Sequence, residues 1–378
     1  MPNPNGILAR TIRLEPPLER SPEELLRELG SITVVLDGER RVRLDAADPR
    51  AAGFARVLDG LRAARLPVYV EVDAGGETIT RTLVPLTVRV LEVRPQPDVF
   101  EVFVEPSQAR HVLRRDNPDA ADLERQLTES RAAARPILLI EDDAHDILDV
   151  RAFTPGPNDG TLPPFPPLPR PEPPPRLWWP LVLTGRLVAW IRLWICWWRC
   201  PSAAKAQEVF DTLAATTCNP STVPPPCIPF LYPDDGCWAR AHEMCRLMIA
   251  MGLRPRKVWI DSAYPHHLHV ATRNNPTCSV DWGWHVAPTL CVRGQWFWRT
   301  QRMVLDPALF TTPVTEATWK GIQGDPTAAL TDTSADQFWH GGGTDPSYVA
   351  SNSILAQYRL ALLNRSVQFG PPPYANCP

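Results

Sequence analysis

The stretch "DDGCWARAHEMC", Asp234–Cys245, decides how this chain is read. A glycine and a cysteine stand where a turn gives way to a helix. Trp238, Ala241, Cys245 and Met248 recur at helical spacing, Glu243 and Arg246 can pair one turn apart, and Gly252 supplies a stop. Gly236 permits close approach of loop to helix. The helix N-terminus offers partial positive charge and free N–H groups, which favour a thiolate at Cys237 and supply half of an oxyanion hole. Asp234 and Asp235 oppose a thiolate unless they cap the helix. A lone Gly-Cys pair is most simply a structural cysteine. A base within reach, itself oriented by a third group, is what makes it a nucleophile.

Eight histidines are available. His242 lies five residues on, about 140° around the helix and about 7.5 Å along it, and does not face the thiol. His266, His267 and His269 form a "PHHLH" cluster without zinc-like partner spacing and read as surface residues. His111, His145 and His340 are lone residues. His285, in "WGWHVAP", lies on an apolar strand where a buried imidazole must find a partner. Asp306 ends the strand "RMVLD". Two antiparallel strands joined through "VRGQWFW" bring it beside His285.

In this order "DDGCWARAHEM", "WGWHVAP" and "VLDPALF" resemble the three active-site segments of bacterial protein-glutaminases, the protein-glutamine deamidases. The likeness continues in "PVTEATW" (Pro313–Trp319) and "CNPSTVPPPCIPF", and covers roughly residues 204–345. It implies a fold akin to transglutaminases and papain-like thiol enzymes. It implies Cys237 as nucleophile, His285 as base and Asp306 as the residue that orients it. Trp238 stands where relatives often carry another aromatic residue, and with Trp284 is expected to line the substrate cleft. The implied activity is hydrolysis of glutamine side chains in proteins or peptides, with ammonia released through a Cys thioester and no metal or organic cofactor. A transglutaminase, which passes the acyl group to lysine, and a thiol peptidase share this logic. A non-enzymatic interaction module on a degenerate fold is the alternative of a different kind.

The remainder of the chain sets the frame. It has 378 residues, 44% hydrophobic and 21% charged, with a net charge of -3, so nothing in it favours nucleic acid. The fold class expected is α+β: the Cys-His-Asp domain at 201–378, a helix packed on an antiparallel sheet, and a mixed α/β module at 1–154. In that module "SITVVLDGERRVRL" reads as a hairpin and "AAGFARVLDGLRAARL" as a helix. "PVYVEV", "ETITRTLV", "LTVRVLEV" and "VFEVFVE" read as strands, "ADLERQLTESRAAA" as a helix and "PILLIED" as a strand. The turn "EDDAHD" reads as solvated rather than as a cation site. The module is expected either to deliver the catalytic domain to partners or to fold back over its cleft.

Residues 155–180 hold twelve prolines and read as a semi-rigid linker. Residues 181–200 are Trp-rich and read as an amphipathic helix docked on a domain surface. Interfacial membrane contact is the second reading, since Arg186 and Arg192 oppose a span. "MPNPNGILARTIRLEPP" has no apolar core typical of a secretory signal, which points to the cytoplasm or to a non-classical export route. All nine cysteines lie at or beyond Cys196. Cys218 and Cys227 are the best-placed disulfide pair. Reduced, buried thiols are the other reading.

Overall fold

The computed structural model describes residues 5–153, 200–222, 227–294 and 299–378. The Pro-rich stretch and the Trp-rich segment up to residue 199 lie outside the described residues, as do Trp296 and Trp298. Among the described residues, no helix is long and apolar enough to cross a membrane.

The first half runs β1 (Gly6–Ala9), β2 (Thr11–Glu15), α1 (Pro22–Leu29), β3 (Ser31–Leu36), β4 (Arg41–Asp45), α2 (Ala51–Ala64), β5 (Val68–Val72), β6 (Ile79–Leu83), β7 (Leu86–Pro95), β8 (Val99–Glu105), β9 (His111–Arg114), α3 (Ala120–Ala132), β10 (Ile137–Glu141) and β11 (Ile147–Ala152). The expected hairpin, helices and strands are all present. The short β1, β2, β9 and β11 and the helix α1 add to them. Helix α1 starts where Ser21 Oγ accepts from the Glu24 N–H with Pro22 in the first turn, and ends at left-handed Gly30. The strands form antiparallel sheets in the orders β2-β3-β4, β1-β5-β6 and β11-β10-β7-β8-β9.

The second half runs α4 (Ala203–Ala214), α5 (Cys237–Ala250), β12 (Arg256–Asp261), β13 (Leu268–Ala271), β14 (Ser279–Trp282), β15 (Trp284–Arg293), β16 (Thr300–Val304), β17 (Val314–Thr315), α6 (Glu316–Gly321), β18 (Ala329–Ser334) and α7 (Val349–Phe369). Ser202 caps α4, as expected. The sheet order is β17-β16-β15-β12-β18, with β13-β14 as a separate pair, and every pairing is antiparallel. Helix α5 lies on this sheet, so the chain has the expected mixed α and β class. Disulfides join Cys200–Cys291, Cys218–Cys227 and Cys278–Cys377, while Cys237 and Cys245 are free and buried.

The halves share their cores. Leu360 and Leu363 of α7 pack with Phe54, Leu58 and Ile32 of the first half. Cys237, Trp238 and Ala241 of α5 share a cluster with Leu86, Val102 and Leu139 of the five-stranded sheet. The "EDDAHD" turn is solvated only in part: Ala144 is exposed and Asp142, Asp143 and Asp146 are half-buried, but Glu141 and His145 turn inward. His111 Nδ1 and His145 Nδ1 bind the two Glu141 oxygens at 2.5 and 2.8 Å, and all three side chains are buried. Their ligand atoms lie within 4.8 Å of one another, but these hydrogen bonds already take up the carboxylate. His111 is therefore not a lone residue: its Nε2 also meets Ser107 Oγ at 2.8 Å.

Candidate active site

The "DDGC" turn is held from three sides. Gly236 is left-handed (φ 78°), and a Cβ there would lie 2.4 Å from Tyr358 Cδ2, so only glycine fits. The aspartates do not cap α5; Gly236 takes the cap position without a side-chain bond. Asp235 Oδ2 accepts from the Tyr358 hydroxyl at 2.6 Å, and its Oδ1 accepts from the Gly236 and Gln108 N–H groups. Asp234 is paired with the buried Arg365 guanidinium at 2.6 and 3.0 Å, and Arg365 also binds Asp143 and lies over the Tyr232 ring. The two acidic neighbours of Cys237 are thus engaged elsewhere.

Cys237 is only 1% exposed. Burial pushes its thiol well above the ordinary range; nearby Arg240 opposes this and Asp235 adds to it, while the Val286 N–H donates toward the sulfur. The favourable helix N-terminus is outweighed by desolvation in this closed state, so the resting group is a thiol.

His285 sits at the start of β15, one residue before the Val286 N–H that meets the sulfur. Its Nε2 is 2.8 Å from Asp306 Oδ2, which lies just beyond β16. Burial alone would raise the Asp306 carboxyl. His285 and the Trp319 indole N–H, at 2.9 Å, outweigh it and hold the carboxyl below its ordinary value. An ionised Asp306 fixes the proton on Nε2 and leaves Nδ1 as the acceptor. Nδ1 is buried without a partner, so in this state it does not bond the thiol. The ring is stacked between Trp282, centroids 4.5 Å apart, and Trp319 at 5.4 Å. His242, by contrast, binds Lys257 Nζ and the Asp345 carbonyl, and burial lowers it to about 4.

Trp238 and Trp284 lie 5.7 Å apart. With Ser107, Trp339 and His340 they line a cleft of about 620 Å³. Trp284 stacks on His340 at 4.6 Å, so His340 has a context that its sequence did not reveal.

The first half reaches directly into this site. Gln108 Oε1 accepts from the Cys237 N–H at 3.1 Å. The Gly283 N–H donates to the Gln108 carbonyl and the Arg110 N–H to the Asp281 carbonyl, so residues 108–110 run antiparallel beside β14. Nothing in "EPSQARH" distinguishes this glutamine locally; only the fold brings it to Cys237.

Residues 206–323 match the glutaminase family model. This glutaminase-like stretch contains Cys237, His285, Asp306 and both stacking tryptophans. A crystal structure of pro-protein-glutaminase is 18% identical, covering 74% of this chain and 93% of that one, with a TM-score of 0.48. A crystal structure of protein-glutaminase is 26% identical over 43% of this chain and 89% of its own, with a TM-score of 0.37. The NMR structure of protein-glutaminase from Chryseobacterium proteolyticum is 27% identical over 40% of this chain and 84% of its own, with a TM-score of 0.36. No curated protein matches the chain.

Proposed function

We propose that this chain hydrolyses the side-chain carboxamide of glutamine in proteins or peptides, giving glutamate and ammonia. The observation that carries this reading is the 2.8 Å pairing of Asp306 with His285, which lies on the strand against which the Cys237 helix packs, within the glutaminase-like stretch. With a carboxamide seated on the Cys237 N–H, His285 Nδ1 takes the Cys237 proton and the sulfur attacks the carboxamide carbon. The Cys237 N–H receives the developing oxyanion. His285 returns the proton to the leaving ammonia, and a thioester remains. Water, deprotonated by His285, releases glutamate and restores the thiol. Asp306 keeps the imidazole proton on Nε2 and stabilises the charged ring.

In the state described Gln108 sits on the Cys237 N–H and Ser107 lines the cleft, which favours a covering role for the first half over a delivery role. The shared cores support the same choice. Trp238 and Trp284 are assigned to the walls of the substrate cleft. The reading is tested by ammonia release from a glutamine-containing peptide, with casein added to look for cross-linked polymer. Ammonia without polymer supports hydrolysis. Polymer formation would instead assign acyl transfer to lysine, and new N-termini would assign peptide-bond cleavage.

A further inference from the structure

Gln108 is 1% exposed and is held through both its backbone and its side chain. Its N–H donates to Asp235 Oδ1 at 3.1 Å and its C=O accepts from the Gly283 N–H at 2.9 Å. Its side-chain oxygen rests on the N–H of the cysteine that the proposed chemistry uses. Its Nε2 is buried and unpartnered. A buried amide nitrogen without a partner is costly, and a plug selected only to block the cleft gains nothing from it. A leaving group, however, is left free of bonds that would hold it back.

We propose that Gln108 is the chain's own substrate, deamidated once by Cys237 of the same molecule. This rests on the reading of Cys237 as an amidase nucleophile. The Sγ–Cδ bond forms and the Cδ–Nε2 bond breaks, and ammonia leaves with the proton that His285 took from the thiol. One water then cleaves the thioester, leaving a carboxylate at position 108 and the thiol restored. One water is consumed for each ammonia released, and nothing is oxidised or reduced. Tethering supplies the effective concentration, so a slow single turnover suffices. The new carboxylate would stand in a dry site beside Asp235, with Asp306 nearby. Arg240 attracts it, but its guanidinium is held by the Tyr232, Pro233 and Asp235 carbonyls; burial and the two carboxylates oppose the new charge, so the reaction would loosen residues 106–110 and arm the site toward other glutamines.

The test is mass spectrometry of the peptide carrying residue 108, taken from the full chain as isolated and after incubation in heavy-oxygen water. The wild type is expected to carry glutamate there, with heavy oxygen in whatever fraction converts during incubation. The Cys237→Ala chain is expected to keep glutamine, even when mixed with wild type. Gln108→Ala is expected to remain active on an external glutamine peptide. If wild type retains Gln108 while hydrolysing that peptide, the inference falls and the proposed function stands. Conversion of the Cys237→Ala chain in the mixture as fast as wild type would overturn the intramolecular step. If neither wild type nor Gln108→Ala releases ammonia from the peptide, the proposed function itself falls.

Discussion

Gln108→Glu places a carboxyl of nearly unchanged shape on the Cys237 N–H. Protonated, it keeps a carbonyl oxygen for that bond. Ionised, it is buried beside Asp235, which accepts from the Gly236 and Gln108 N–H groups and has no cation on its side chain, while the neighbouring Arg240 guanidinium is already held by the Tyr232, Pro233 and Asp235 carbonyls. The cheapest way to keep the cover closed is therefore to protonate the new side chain. Starting from an ordinary glutamate pKa of about 4.3, this costs about 3.7 kcal/mol at pH 7, or about 500-fold in the closing equilibrium. At pH 5 the same step costs about 1 kcal/mol, or about 5-fold. The sign follows from linkage. The closed-state pKa is raised, so the penalty is absent below the open-state value and grows as pH rises toward the closed-state value. The variant should thus open as pH rises. Initial rates on a glutamine peptide, using full-length Cys237-containing chains, should exceed those of a chain still carrying Gln108 by up to about 500-fold at pH 7, with the advantage shrinking toward pH 5. A variant as slow as that chain at pH 7, or an advantage that does not change with pH, would refute the reasoning.

Three other perturbations follow from the geometry. Arg365→Met removes both guanidinium bonds from the buried Asp234, leaving only His145 Nε2, 3.8 Å away, as a cationic neighbour, and should cost about 3 kcal/mol in urea unfolding, because breaking one side of a buried pair is expensive. Trp319→Phe removes the indole N–H from Asp306; losing a bond to a charged group, about 1.5–3 kcal/mol, should lower kcat by about 10- to 150-fold and shift its pH profile while the chain stays folded by circular dichroism. Burial alone would lower His145, but Glu141 outweighs it and raises the group to about 9 from an ordinary 6.5. Its contribution to stability is therefore complete below pH 6.5 and lost as pH rises through 9, so urea midpoints should fall over that range and fall less in His145→Gln.

The pairing of His285 with Asp306 was legible because strand periodicity is local and the connection between their strands is short. The Cys218–Cys227 disulfide was legible for the same reason. Pairings across 91 and 99 residues, Cys200–Cys291 and Cys278–Cys377, left no comparable trace. The "EDDAHD" turn looked solvated because its composition is acidic, yet His111, distant in sequence, supplies the partner that buries Glu141. Helix α7 was missed because it is buried between both halves. Its inward positions include Asn352, Arg359, Asn364 and Arg365 as well as leucines, which erases the apolar stripe of a surface helix. Gln108 was invisible for the deepest reason. Its role depends on the first half lying across the second, and a segment of ordinary composition carries no signal of where it will dock.

The central claim is that Cys237, His285 and Asp306 together hydrolyse glutamine carboxamides. It is tested most directly by ammonia release from a glutamine peptide with the Gln108→Glu chain at pH 7, beside the same chain carrying Cys237→Ala. The account predicts steady release by the first and none by the second, with both equally folded. Equal release by the two, or no release by either while the cover is demonstrably open, would contradict it.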